Sequence, residues 1–236
     1  MTEQITTVTF FKMQGFSNQF YGFSQVQLAL RELAGVKGLT FLKTLGTGGG
    51  DGFSLRPDFS TYAFLMVWES RAHADRFFES NPYILEYRHR SRETFTLYLE
   101  NAMAHGKWDH KNPFVSRGEV KDEKPVVVLT RARIKPAKLI TFWANVGSAA
   151  SDLHRYSDLL FGVGVGELPA IQQATISIWK KAESMKNFAY QSKHHQKVIK
   201  LTRKKKWYQE ELFARFIPVD ATGTWQGRSL PAQLNM

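Results

Sequence analysis

The sequence contains no cysteine. That absence excludes a disulfide framework, Cys-ligated zinc, Cys-ligated iron–sulfur clusters, thiolate-ligated haem and a Cys nucleophile. Any redox metal would have to be held by His, Tyr, Met or carboxylate, and His is the commonest of these at haem and transition-metal centres. No apolar run reaches the roughly 18 residues expected of a membrane-spanning helix. Met1-Thr2-Glu3-Gln4-Ile5 has neither the basic nor the apolar region of a signal peptide, so the cytoplasm is the expected compartment. Signature loops are missing as well. Gly46 to Gly52 is not followed by Lys-Ser or Lys-Thr and is no phosphate-binding P-loop. No Gly-x-Ser-x-Gly elbow occurs, which argues against a Ser hydrolase.

Acidic residues are scarce where basic ones mass. The net charge is +11, and between Lys180 and Lys206 ten Lys or Arg face Glu183 alone. Nucleic acid, an anionic membrane surface reached peripherally, or an acidic protein such as a ferredoxin could answer that charge; so could solvent. The basic residues sit on one helix without an aromatic-basic RNA-recognition signature, so no nucleic-acid partner is expected.

What is present reads as a globular chain of 236 residues, 43% hydrophobic and 22% charged, enough for one large domain or two of about 110. Strands are expected over Val8–Met13, Leu39–Leu45, Tyr62–Trp68 and Glu93–Leu99. Helices are expected over Ser24–Leu33, with Ser24 as N-cap, and over Ser70–Ser80, with a break at Asn81-Pro82 before a further helical segment to about Ser91. The pattern β-α-β-β-α-β then recurs, with strands over Val126–Ile134, Leu159–Val165, Thr175–Trp179 and Leu212–Val219. A helix is expected over Ala137–Leu153, and a long basic helix after Trp179. Trp68 precedes Phe77 by nine residues, as Trp179 precedes Phe188. Two such units in tandem are ferredoxin-like halves, residues 1–110 and 125–236, joined by the polar stretch 111–124. Each sheet would carry helices on one face and need its sister on the other, giving an α+β fold with a dimeric-α+β-barrel-like arrangement inside one chain.

On the long helix, Met185, Phe188, Ser192, His195, Ile199 and Thr202 recur at steps of three or four and share the apolar face. His195 lies sixteen residues after Trp179, whereas sixteen after Trp68 is Ile84. An inward imidazole there is either a satisfied core residue or a ligand. Gly162, Gly164 and Gly166 have strand spacing, not the dinucleotide-turn pattern, and mark a bulge or close approach by another group, such as a flat ligand. His105-Gly106-Lys107-Trp108-Asp109-His110 could suggest a metal site, but Gly106 and Asn112-Pro113 make it read as a turn.

Taken in order, several motifs resemble the spheroidene monooxygenase family of acyclic-carotenoid ketolases. They are Gly106-Lys107-Trp108-Asp109 with Pro113-Phe114, Leu129-Thr130-Arg131-Ala132 with Phe142-Trp143, Gly164-Val165-Gly166-Glu167, and Ile178-Trp179. Phe188-Ala189 with His195, Trp207 with Glu210 to Phe216, and Gly223-Thr224-Trp225 with Gly227 complete the set. The resemblance implies oxygen-dependent oxidation of a polyene by a protein of two ferredoxin-like units that binds haem b. It makes His195 the axial iron ligand and His194 its outward neighbour. Trp179, Phe188 and Ile199 would flank the cofactor, with Arg131 or Arg215 on the oxygen side. Electrons would come from a reduced ferredoxin docked on the basic helix, and the substrate would be a long apolar carotenoid-like chain among Phe142, Trp143, Phe161, Trp179 and Phe188. A homo-oligomer is compatible with this reading. Other haem enzymes of aldoxime-dehydratase or peroxidase type, and a non-catalytic barrel for haem or apolar ligands, remain alternatives.

Overall fold

Two antiparallel sheets close on each other through their long last strands. The computed structural model describes residues 3–49, 57–145, 156–168, 170–229 and 234, with the side chains of 193–195 outside that description. The first half runs β1 (Ile5–Met13), α1 (Phe16–Glu32), β2 (Leu39–Gly48), β3 (Pro57–Trp68), α2 (Arg71–Ser80), α3 (Pro82–His89) and β4 (Ser91–Gly106). The second runs β5 (Val126–Ile134), a 3-10 turn (Pro136–Lys138), a helix α4 whose described part is 139–145, and β6 (Leu159–Leu168). It ends with β7 (Gln172–Trp179), α5 (Ala182–Gln191), α6 (Lys193–Lys205) and β8 (Tyr208–Gly223). The strands form one closed barrel in the order β1-β3-β2-β6-β7-β5-β8-β4. All pairs are antiparallel, and β4 with β8 and β2 with β6 make the two seams between halves. The dimeric α+β barrel is thus built within a single chain.

Alternation along each strand sorts side chains to two faces. Val8, Phe10, Leu65, Val67, Leu97, Leu129, Ile176 and Phe216 point inward and fill the barrel with apolar side chains. Phe10, Phe95, Phe161 and Trp225 stack within it, with ring centroids 5.0–6.4 Å apart. An eight-stranded barrel packed this way has no ligand chamber at its centre. The outward faces carry the helices, over separate cores for the two halves.

Two local expectations need correction. Helix α1 starts at Phe16 after Gly15, not at Ser24, whose hydroxyl instead donates back to the Tyr21 carbonyl within the helix. The first two turns are hidden from pattern reading because Phe16, Phe20 and Phe23 face solvent. The basic helix is also not one helix. Ser192 turns extended (ψ 113°) and separates α5 from α6, as Asn81 (ψ 120°) separates α2 from α3. At Asn81 the break announces itself: the side chain accepts from the Tyr83 and Ile84 amides, and Pro82 opens the next helix. Ser192 lacks a following proline, so the chain between Met185 and Thr202 reads as continuous. The supposed common face divides accordingly. Met185, Phe188 and Ser192 are buried, Thr202 is half-buried and Ile199 is 37% exposed.

The seam ends are fixed by a repeated turn. Gly106-Lys107-Trp108 after β4 and Gly223-Thr224-Trp225 after β8 both fold back, through the bridges Trp108–Lys111 and Trp225–Arg228. Glu210 accepts from the Asp109 and His110 amides at 3.0 and 2.8 Å, and Glu93 accepts from the Gln226 and Gly227 amides at 3.0 and 2.7 Å. Gly106 (φ 89°) and Gly223 (φ 87°) sit so close to the partner strand that a Cβ would lie 2.2 Å from the Glu211 carbonyl or 1.9 Å from that of Thr94. Gly106→Ala therefore combines left-handed strain with a backbone clash. Its expected cost is about 2–3 kcal/mol, a fall in melting temperature of about 4–12 °C. A thermal melt unchanged within a degree or two would contradict this account of the turn.

Candidate active site

The pairing register lets the halves be compared residue by residue. Trp68 pairs with Ile5 and Leu39, and Trp179 pairs with Val126 and Leu159. Both second strands then bulge one residue on, between Leu39 and Phe41 and between Leu159 and Phe161. Counting from these anchors, Phe11 corresponds to Ala132, Phe64 to Thr175, Met66 to Ser177 and Leu42 to Gly162. On the seam strands Tyr98 corresponds to Arg215. All lie on the outward, helix-covered face.

In the first half, that face is solid. Phe11, Phe64 and Tyr87 form an aromatic triad with centroids 4.6–5.2 Å apart, and Ile84 on α3 is buried beside it. In the second half the triad positions are Ala132, Thr175 and Val198, and Ile84 is replaced by His195 in the first turn of α6. Together with Ser177 and Gly162, these replacements remove well over half of the side-chain atoms. Thr175 and Gly162 are only half-buried where Phe64 is fully buried. Val198 packs away toward Ile134, Phe142 and Trp207, with Leu201 and Trp143. One substitution runs the other way, Thr96 to Phe213. In a fixed backbone, large-to-small changes of this kind cost about 2–5 kcal/mol each unless something fills the space. Gly162, Gly164, Thr175, Ser177 and Ala132 thus line a small-residue stretch of the outward sheet face, a candidate slot beneath the helices.

The sequence-predicted residues distribute around this slot unequally. Trp179 and Phe188 come together at its α5 end, 5.4 Å apart, with Tyr156 against both. The Trp179 indole donates to the Ser177 hydroxyl at 3.0 Å. Phe142 and Trp143 lie together at the α4 end, whereas Phe161 points into the barrel. Ile199 is on α6 and largely open to solvent. His194 and His195 fall in the first turn of α6, and their side chains lie outside the described residues. Arg215 is on the outward face of β8, paired with Val128, and its guanidinium lies 5.4 Å from the Phe213 ring. Its Nε is buried without a hydrogen-bond partner. An orphaned cationic donor over a floor of small residues fits a flat, partly anionic group.

Arg131 is placed differently from expectation. It alternates with Val127 and Leu129, so it points inside the barrel, 1% exposed, with the sheet between it and the helices. It is neither solvent-facing nor on the slot side. There it ion-pairs with Glu210 and lies 3.6 Å from Glu167 and 3.9 Å from Asp109, its guanidinium 5.3 Å from the Trp108 ring. Lys43 pairs with Asp109 and with Glu167 (2.6 Å), and the Trp108 indole donates to Glu167 at 2.7 Å. Two cations and three carboxylates thus close one end of the barrel with Trp108. The His105–His110 segment is the turn it reads as. His110 is exposed and His105 lies against Phe213. Among the described residues no three His, Asp or Glu side chains converge as metal ligands.

Across 226 residues the chain is 33% identical to the spheroidene monooxygenase of Rhodobacter capsulatus, covering 95% of this chain and 94% of that one. The chain belongs to the spheroidene monooxygenase family. The Cereibacter sphaeroides spheroidene monooxygenase is 34% identical, over 95% of this chain and 70% of its own length. A family model described as a domain of unknown function, DUF3291, matches residues 137–220, the segment from α4 to β8. A solved aldoxime dehydratase superposes with a TM-score of 0.61 over 92% of this chain and 82% of its own, at 8% identity, a likeness of fold. Family membership makes this protein an oxidoreductase of the oxygenase class.

Sequence reasoning missed the ion cluster and most of the slot. The slot was accessible by counting from Trp68 and Trp179; the cluster was not, because Lys43, Asp109, Arg131, Glu167 and Glu210 come from five separate segments. Burial would raise the Glu210 carboxyl, but hydrogen bonds from the His110 and Asp109 amides and the Arg131 guanidinium hold it below the ordinary carboxylate range. Its ionisation therefore stabilises the fold above the unfolded-state pKa of about 4.3, and the contribution is lost as pH falls through the lower folded value. Glu210→Gln should lower stability at neutral pH and make urea midpoints between about pH 5 and pH 3 fall less steeply than in the parent protein. Parallel pH profiles for the two proteins would refute this role.

Proposed function

We propose that the slot of the C-terminal half would hold haem b through His195, and that the protein oxygenates a long apolar carotenoid-like substrate. The single observation that carries this reading is the conversion of the Phe11–Phe64–Tyr87 triad into Ala132, Thr175 and Val198, with a histidine entering where Ile84 stands. A flat apolar macrocycle would restore the packing that the small residues give up. Gly162 and Gly164 allow it to approach the sheet backbone closely. Arg215 would face it from the sheet while the α6 helix faces it from the other side. Haem bound there would supply oxygen activation, at the cost of two electrons and two protons per oxygen molecule.

The chain's own groups define the rest. The half-buried Arg215 guanidinium, its buried Nε unpartnered, offers a donor on the sheet side that can hold an oxygen anion or an ordered water there. In each round one C–H bond of the substrate becomes C–OH, so the substrate gains one oxygen atom, and the second oxygen atom leaves as water with the two electrons and two protons. A second round at the same carbon gives a gem-diol that loses water to a ketone. No Cys-held cluster is available within the chain, so electrons come from a separate donor. The exposed row Lys197, Lys200 and Lys204 on α6, beside the shallow groove with Gln196 and Leu201, suits an acidic ferredoxin.

Three measurements test this. Reconstitution with hemin should give a Soret band and raise the melting temperature. His195→Ala should lose the band while His194→Ala keeps it. Thr175→Phe with Ser177→Met, which restores the bulk of the first half, should block hemin uptake without lowering the melting temperature of the apoprotein. Hemin retention by the Phe/Met variant equal to the parent would place the cofactor elsewhere. For substrate, co-expression with a ferredoxin system in a host making acyclic carotenoids should yield ketolated pigments. Their absence from haem-loaded cells would rule out the carotenoid assignment.

A further inference from the structure

Helix α1 presents an apolar face that no described residue covers. Phe16, Phe20 and Phe23 recur at i, i+4 and i+7 and are 85, 63 and 55% exposed. Phe23 meets Phe59 of β3, itself 49% exposed, at 5.6 Å. Gln27 and Leu30 continue the stripe, both exposed. The helix carries no charged residue from Phe16 to Leu30, unusual for a surface helix, and the first charges beyond it, Arg31 and Glu32, are exposed at its end. Beside Phe23 and Phe59 opens a mainly apolar groove of about 480 Å³, running between α1 and the β2–β6 seam past Val26, Tyr62 and Val165.

We propose that this face docks on a lipid bilayer, the four phenylalanine rings entering the acyl boundary. Two observations favour lipid over a second copy of the chain. Four rings exposed to this degree offer roughly 400–500 Å² of apolar surface, since a phenylalanine buries about 150–250 Å². A stable protein interface buries about 800 Å² on each partner. With no charge from Phe16 to Leu30, the helix also offers no ion pair to fix register against a protein partner, which a fluid bilayer does not require. The net charge of +11 adds attraction to anionic headgroups. The inference is independent of the haem slot, which lies under the helices of the other half, and the groove gives an apolar molecule drawn from the bilayer a place to enter the protein surface.

The test is sedimentation with vesicles of phosphatidylcholine, alone or with phosphatidylglycerol. The parent protein should pellet with both, and binding to phosphatidylcholine should persist at about 0.5 M salt, where surface charge is screened. Phe16→Ser with Phe20→Ser should reduce partitioning by at least about tenfold at unchanged melting temperature, because both side chains are exposed. Phe20→Trp should shift its emission to the blue on vesicles and be quenched by brominated acyl chains. Failure to bind either vesicle overturns the proposal, as does binding unaffected by the double serine change. Binding abolished by salt would assign the contact to the cations of α6 instead. A dimer in sedimentation equilibrium that the double serine change dissolves would show that a second copy covers the face.

Discussion

The filled interior of the barrel constrains everything else in this molecule. Phe10, Phe95, Phe161 and Trp225 fill most of the space enclosed by the eight strands, leaving little room there for a ligand the size of a cofactor. The outward faces of the two sheets, under helices, are where the halves differ. The first half spends that face on its own aromatic core. The second half sets small side chains there.

This division of labour follows from how a duplicated unit can diverge. The strand anchors Trp68 and Trp179, the bulges after Leu39 and Leu159, the helix breaks at Asn81 and Ser192, and the glycine turns after β4 and β8 hold the two frames alike. Between those fixed points, side chains on the outward face could shrink without disturbing either the inner barrel or the seams. Those smaller side chains give up packing that the first half keeps. The ion cluster around Arg131 belongs to the opposite category: it lies in the interior, at one end only, and serves closure.

Much of the architecture was legible in the chain. Alternating and continuous apolar runs located all eight strands, and the spacing from Trp to Phe disclosed the duplication, so the paired sheets followed. The ends of elements were less visible. Phe16 to Phe23 read as non-helical because an exposed apolar face has the wrong pattern for a surface helix, and Ser192 hid a break that Asn81-Pro82 advertises in the first half. Of the site, His195 stood out against Ile84, and the glycines of β6 hinted at a close neighbour. Arg131 and Arg215 both interrupt apolar strands, and the chain alone put Arg131 ahead of Arg215. Only the pairing register separates them, because one residue of offset relative to the inward set decides which side of a sheet a side chain occupies.

The two seams are of very different strength. Among the described residues, β4 and β8 pair over eleven positions, while β2 and β6 meet only at Gly46 with Gly166 and Thr47 with Val165. The short seam contributes few hydrogen bonds among the described residues and carries a glycine on each side, so it is the weaker of the two closures. A barrel closed by one long and one short seam is mechanically a hinged cylinder, with β4–β8 as its spine. Its line of opening runs alongside the groove under the phenylalanine face of α1, so thermal breathing of the fold is concentrated at the edge where the surface is most apolar.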